Sequence, residues 1–397
     1  MRTGSLTLVH ADVIDVLSGE VHRDQTLEIA DGSVAAMSSS PPAPHATVID
    51  VEGRSVVPGL ISCHSHLSIV FPMSDTDPQE HPAATVLRAA GRARAALASG
   101  ITTLRCVHEQ HRADLWLRDA AAKGWIESPR IYGAGRAITT PHGHGAGMAC
   151  AEASGEEEFY QAALAEIGAG ADHLKIFING GLAREGEVIG ASEMTDGELD
   201  GVVRAAHEHD RYVVAHSGAS TAIRQALEHG VRCFEHAYEL DIETAELIAR
   251  TGAYITPTLV VTRCEPWMRE NGFEEATIAN AKVAAEGHLA SIKHAIDAHV
   301  PLLAGTDLPP ADDVGGVSAT VLELTLLEQA GLSRLEALRC ASTNPARLMG
   351  ASSWLGQVRP GFAADLLVCD ESPLDDLSAL ARVNLVLQAG RVVRCGS

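Results

Sequence analysis

The chain has 397 residues, 46% hydrophobic and 21% charged, a globular composition with enough material for a large enzyme domain or two smaller ones. Its 30 Lys+Arg against 52 Asp+Glu leave 30 − 52 = −22 charges, which argues against nucleic acid or an anionic membrane as a partner held by bulk electrostatics. No apolar run reaches the roughly 18 residues of a membrane span. The N-terminus "MRTGSLTLVHADVIDV" alternates like a strand and lacks a secretory apolar core. The eight cysteines are scattered with no C-x-x-C pair, so reduced, mostly buried thiols in a cytoplasmic protein are expected.

Residues 1–55 read as short strands, "LTLVHADVIDV" and "TLEIADGSVAAM", with turns at "LSGE" and "DGSV" and no long amphipathic helix. From residue 56 the pattern changes. Apolar strand candidates alternate with alanine-rich helical stretches: 56–64, 101–107, 130–135, 173–178, 212–217, 232–237, 253–260 and 300–307. Between them, segments such as "MTDGELDGVVRAAHEHD" open on Thr or Asp followed by an acid, as helix N-termini do. Eight such strands alternating with helices predict an α/β fold, a parallel (β/α)8 TIM-like barrel over 56–355. The tail 356–397 returns to short strands, "GQVRPGFAADLLVCD" and "NLVLQAGRVVRC". Chain ends tend to meet, so residues 1–55 and 356–397 are expected to build one small β-sandwich domain. An open doubly wound sheet is the alternative, but no G-x-G-x-x-G follows the first strand.

In such a barrel the chemistry belongs at the C-terminal ends of the strands. Strand 1 ends in "CHSH", where His64 and His66, two apart, point to the same side and can reach one ion. Strand 4 carries Lys175, strand 5 ends at His216, strand 6 at His236 and strand 8 at Asp307. A single histidine at a strand end is most often structural; six such groups on one face argue for a metal centre. Lys175 is the informative member. A buried cationic lysine is costly unless it is paired or neutral. The neutral amine can add CO2 to form a carbamate, an oxygen ligand able to bridge two divalent ions. The plain alternative is a lysine paired with a nearby acid.

These residues, with "VVPGLISCHSH", "LKIFINGG", "VVAHS", "FEHA", "LAGTD", "TNPARLMG" and the closing "GQVRPGFAADLLVCD", resemble the amidohydrolase superfamily almost end to end. Within it the chain is most similar to the branch of Xaa-Pro dipeptidases, arginine/lysine carboxypeptidases and imidazolonepropionase-like hydrolases, on "GADHLKIFINGG", "FEHAYELDIETAELIARTGAYITPTL" and "PHGHGA". The resemblance implies two divalent metal ions, zinc being the expected one, bridged by N6-carboxylated Lys175. His64, His66 and Asp307 would hold the first ion, and His216 and His236 the second. It further implies that a bridging hydroxide attacks a small amide or peptide, with Asp307 as general base and then acid. His144, in the Gly-His-Gly stretch, would polarise the scissile carbonyl or hold a substrate oxygen, with His142 as the alternative.

There is one departure. Where dipeptidase-like relatives continue from the strand 5 histidine with Ala-Tyr, this chain has Ser217-Gly218, so a substrate-gripping hydroxyl is missing. Tyr238 is the candidate substitute. In the loop 261–282, Trp267, Met268 and Phe273 could form an apolar lid with Arg263 available to an anionic group, or simply anchor a helix. Competing readings are a hydrolytic deaminase, a lactam, carbamate or ester hydrolase of the same fold, and a non-catalytic scaffold. Lys175 and the absence of a glutamate just after His216 weigh against deamination. Homo-oligomer formation is left open.

Overall fold

The computed structural model describes residues 6–42, 47–182 and 189–395. Strands from both ends of the chain share one eight-stranded sheet. Its order is Arg391–Cys395, Val383–Gln388, Leu366–Cys369, Ser55–Pro58, Leu6–Ile14, Val21–Ala30 and Ser33–Ser38, with Thr47–Asp50 alongside Leu6–Ile14. One face of this sheet buries a core of its own, including Leu8, Leu27, Val56, Leu366, Val368 and Leu387. This is the β-sandwich part of the fold.

The remaining strands form the barrel. β1 (Leu60–Ser65), β2 (Ile101–Cys106) and β3 (Arg130–Gly133) make one parallel group. β4 (Leu174–Phe177), β5 (Val213–Ala219), β6 (Cys233–Glu239) and β7 (Tyr254–Thr256) make the other. Beyond β3 the chain reaches β4 through the short strand Ile138–Thr139, whose Ile138 pairs with Ile176. Strands β1, β2, β4 and β5 are buried throughout, as expected for parallel strands covered on both faces. The helix Asp196–Glu208 follows β4 and opens on a capping box between Thr195 and Glu198.

Three strand expectations need correction: 253–260 shortens to Tyr254–Thr256, because Leu259–Thr262 turns into a 3-10 helix, and two others differ more. The run 56–64 is two strands. Ser55–Pro58 belongs to the terminal sheet, pairing with Leu366–Cys369, and β1 starts at Leu60. Gly59, between them, donates its N–H to the Asp365 carbonyl (2.8 Å), while Leu60 already bonds to Gly100 (3.0 Å). At the eighth position, 300–307 makes one bridge, Leu302 to Ile255, rather than a full strand. Pro301 has no N–H to give, and the Ala304 N–H turns to the Cys340 carbonyl (2.7 Å) at the end of the helix Arg334–Cys340. The barrel still closes there, because the Cys63 N–H bonds to the Ala304 carbonyl (2.7 Å).

Seven described cysteines carry free thiols, all buried except the half-buried Cys150. Among the described residues no helix is long and apolar enough to cross a membrane.

Candidate metal centre

β1 delivers His64 and His66 to the open end of the barrel, both buried. Glu235, on β6, reaches across the interior and places Oε2 2.5 Å from His64 Nδ1. Glu235 is itself held by Arg105 of β2, whose Nη2 lies 2.6 Å from Oε1 and whose Nε donates to the Cys63 carbonyl (2.5 Å). Burial alone would raise the Glu235 carboxyl, but Arg105 and His64 outweigh it and keep the carboxylate ionised. The partner of His66 Nδ1 is the His108 carbonyl at 3.0 Å, which can only accept. Both rings therefore carry their proton on Nδ1 and present Nε2 inward.

Those two nitrogens converge on one oxygen. His64 Nε2 and His66 Nε2 lie 2.9 and 3.1 Å from Asp307 Oδ1. Asp307 is fixed by its own N–H and that of Thr306, both donated to the His64 carbonyl at 3.0 and 2.9 Å. Its φ of 58° is left-handed, a strained setting for an aspartate that the double anchorage sustains. The chain approaches β1 so closely here that a Cβ on Gly305 would stand 2.7 Å from the His64 backbone nitrogen. Two imidazole lone pairs aimed at a carboxylate oxygen repel unless a proton or a cation lies between them. His64, His66 and Asp307 are thus a ligand set for a divalent metal, their donor atoms all within 4.8 Å of one another.

Three further groups stand beside this set. Lys175, on β4, is 2% exposed, and its Nζ has no hydrogen-bond partner among the described residues. Its Nζ lies 5.5 Å from the centre of the Phe177 ring. Burial pushes the ammonium down to about 8. Among the described residues no acid pairs with this lysine, the plain alternative for it. His216 and His236 pack ring to ring at 4.6 Å, and His236 lies 5.0 Å from His64. Burial and the neighbouring cationic groups keep both rings neutral, the form that binds metal. His236 Nδ1 is 2.6 Å from Thr258 Oγ1, and Thr258 sits at φ 52° in a turn whose Leu259 and Val260 N–H groups bond to buried Glu323.

His144 stacks on His216 at 4.3 Å and lines the cavity, its backbone N–H donated to Glu193 (2.9 Å). Tyr238 lies flat against His236 at 5.1 Å and Trp267 forms part of the wall, so both face the same cavity. His142 is exposed, at φ 68°, and does not line it. Arg263 is not available to an anionic group either. Its guanidinium donates to Thr262 Oγ1 (2.7 Å) and the Ala285 carbonyl (2.6 Å), anchoring the long helix Glu275–Asp297, and does not itself line the cavity. The space beside Gly218 is taken. A Cβ there would fall 2.2 Å from Ile189 Cγ2, and Asn179 accepts the Gly218 N–H (2.9 Å).

Glu235, Arg105, Thr258 and Glu323 were not among the expected site residues. A charged side chain inside a fully apolar barrel strand, as in "ITTLRCV" and "RCFEHA", is the signal that could have found the first two.

Barrel, terminal sheet and ligand set together define a metal-dependent hydrolase. The profile of the amidohydrolase family matches residues 55–393, and the chain belongs to that family, whose members of this kind act on C–N bonds. An ochratoxinase of Aspergillus niger is 27% identical over 405 residues, covering 94% of this chain and 82% of its own. The crystal structure of the A. niger ochratoxinase superposes with a TM-score of 0.84 at 26% identity, covering 100% of this chain and 96% of the other. A prolidase crystallised with N-methylphosphonate-L-proline superposes with a TM-score of 0.90 at 28% identity, covering 98% of this chain and 100% of the other.

Proposed function

We propose that the chain is a two-metal hydrolase that cleaves the C–N bond of a small amide, dipeptide or N-acyl amino acid. His64, His66 and Asp307 would hold one ion, His216 and His236 the other, with Lys175 carboxylated at Nζ between them. The observation that carries this reading is the buried Lys175 amine, without a hydrogen-bond partner among the described residues and held down to about 8. A neutral amine adds CO2 and releases one proton, turning that buried amine into an anionic oxygen ligand in the cavity lined by the imidazoles. Divalent ions there, zinc being the expected one, supply Lewis acidity toward the scissile carbonyl and a nucleophile near neutral pH.

The chain's own residues do the rest. Asp307 Oδ1, fixed between His64 and His66, is the base that takes a proton from the attacking water and returns it to the leaving nitrogen. His144, stacked on His216 at the cavity wall, is placed to hold the substrate carbonyl oxygen. The names of the prolidase and ochratoxinase relatives support a peptide or amide as substrate.

The test is metal content per purified chain, by elemental analysis. Two ions per chain support the two-metal reading, one favours a deaminase-type centre, and none sinks it.

A further inference from the structure

The cavity has two chemically distinct sides. Its floor is the cluster of imidazoles with Lys175 and Asp307. Facing it are Phe71 and Met73 from the loop after β1, and Trp267, Met268 and Phe273 from the segment after β7. Among the described residues, the ionisable groups that line the cavity, apart from Cys264 and Tyr238, all belong to the floor.

This apolar wall is held in place by contacts of its own. The Trp267 ring meets Phe71 edge-on (5.3 Å between centroids, 73°) and Phe273 at 5.7 Å. Its one polar atom, Nε1, is spent on Asp312 Oδ2 (3.1 Å), a carboxylate that does not line the cavity. Behind Phe71 lies the Arg92 guanidinium, 5.9 Å from the ring centre, donating to the Leu67 and Ile69 carbonyls at 3.0 and 2.6 Å. The loop after β1 and the segment after β7 are therefore each pinned by a polar group behind an aromatic ring. An anionic substituent pressed on such a wall would lose its hydration with nothing in return, whereas an aromatic one gains by burial and ring contact.

We propose that this wall selects a substrate with an aromatic or comparably bulky, uncharged group on one side of the scissile C–N bond, with Trp267, Phe71 and Phe273 as specificity-determining residues. The inference rests on the amide-hydrolase reading above. It extends that reading from bond type to the group beside the bond.

The test uses amides matched in carbonyl reactivity. On the acyl side, 3-phenylpropionyl is compared with propionyl; on the amine side, phenethylamine with ethylamine. The metal-loaded enzyme should favour the phenyl-bearing member of one pair by about tenfold or more in kcat/KM. Trp267→Ala should collapse that ratio toward one, and Trp267→Phe should restore most of it, whatever happens to the absolute rates. Equal rates within both pairs, a ratio unchanged in Trp267→Ala, or a preference for a carboxylate in place of the phenyl group would overturn the proposal.

Calorimetric titration with 3-phenylpropionamide and propionamide separates the two claims. Tighter binding of the aromatic amide, lost in Trp267→Ala, without hydrolysis of any amide would uphold the wall and overturn the reaction. Hydrolysis with no aromatic preference would overturn the wall alone.

Discussion

Glu235 Oε2 and His64 Nδ1 stand 2.5 Å apart across the barrel interior, so a carboxylate with no access to solvent decides which imidazole nitrogen faces the metal centre. Glu235→Gln removes the charge that holds this proton. Metal affinity should fall by about 10–100-fold, measured by competition with a chelator. Arg105 would lose its buried counter-charge, so unfolding should also become easier by about 3 kcal/mol or more. Affinity within twofold of the parent would contradict a positioning role for Glu235.

On the two-metal proposal, Lys175→Ala should lower the metal content from two ions toward one and take turnover to near background. A high concentration of a short carboxylate, such as propionate, should recover part of the activity by filling the vacated position. Full activity without added acid would remove the carbamate from the account.

Asp307→Asn keeps the shape of the side chain but not its basicity. The variant should retain some metal and lose turnover by about 10²–10⁴-fold, the usual range for a general base. Parallel elemental analysis and kinetics decide it; loss of all metal would show that the residue matters only as a ligand.

Gly305→Ala probes the close approach to β1. The new methyl would meet His64 Cβ at 2.7 Å and Thr256 Cγ2 at 2.5 Å, both in a packed interior. A stability loss of about 1–3 kcal/mol is expected, together with weaker metal binding, because His64 has to move. Thermal denaturation with and without chelator reads both effects.

Glu323 predicts a pH dependence of stability. Burial pushes its carboxyl up to about 8, against the pull of the Leu259 and Val260 N–H groups. The folded protein then holds a proton that the unfolded chain releases near the ordinary value of 4.5. The stability tied to that proton is present in full below 4.5 and is lost as pH rises toward 8, levelling off above. Glu323→Gln cannot titrate, so the difference in Tm between parent and variant should shift against the parent between pH 5 and 8. A constant difference over that window would show that the carboxyl does not titrate there.

The ligand set is legible in the sequence because its parts obey strand rules. His64 and His66 share a face by period-two alternation, and the other groups fall where apolar runs stop. Glu235 and Arg105 obey no local rule. Each is one charged residue in an apolar stretch, and only closure of the barrel brings β2 to β6. Arg263 shows the opposite failure. A loop arginine reads as free for a ligand, yet the carbonyl of Ala285, on a helix that follows in sequence, satisfies it. Strand boundaries fail where backbone partners are not local. Nothing in "VVPGLISCH" tells that Pro58 and Leu60 bond to different sheets, or that the Ala304 N–H prefers a helix end to a strand.

The break at Gly59 has a consequence for how the protein is made. The segment that carries His64 and His66 is anchored on one side by Ser55–Pro58, and that strand is flanked by Leu366–Cys369. That partner and Asp307 both lie far downstream in the sequence, so both are made long after the two histidines. The pair His64 and His66 can be backed early by Leu6–Ile14, beside Ser55–Pro58, and by β2, but the ligand set closes only once Asp307 has been made. The strand Leu366–Cys369 then latches the far side of Ser55–Pro58, the strand from which β1 continues.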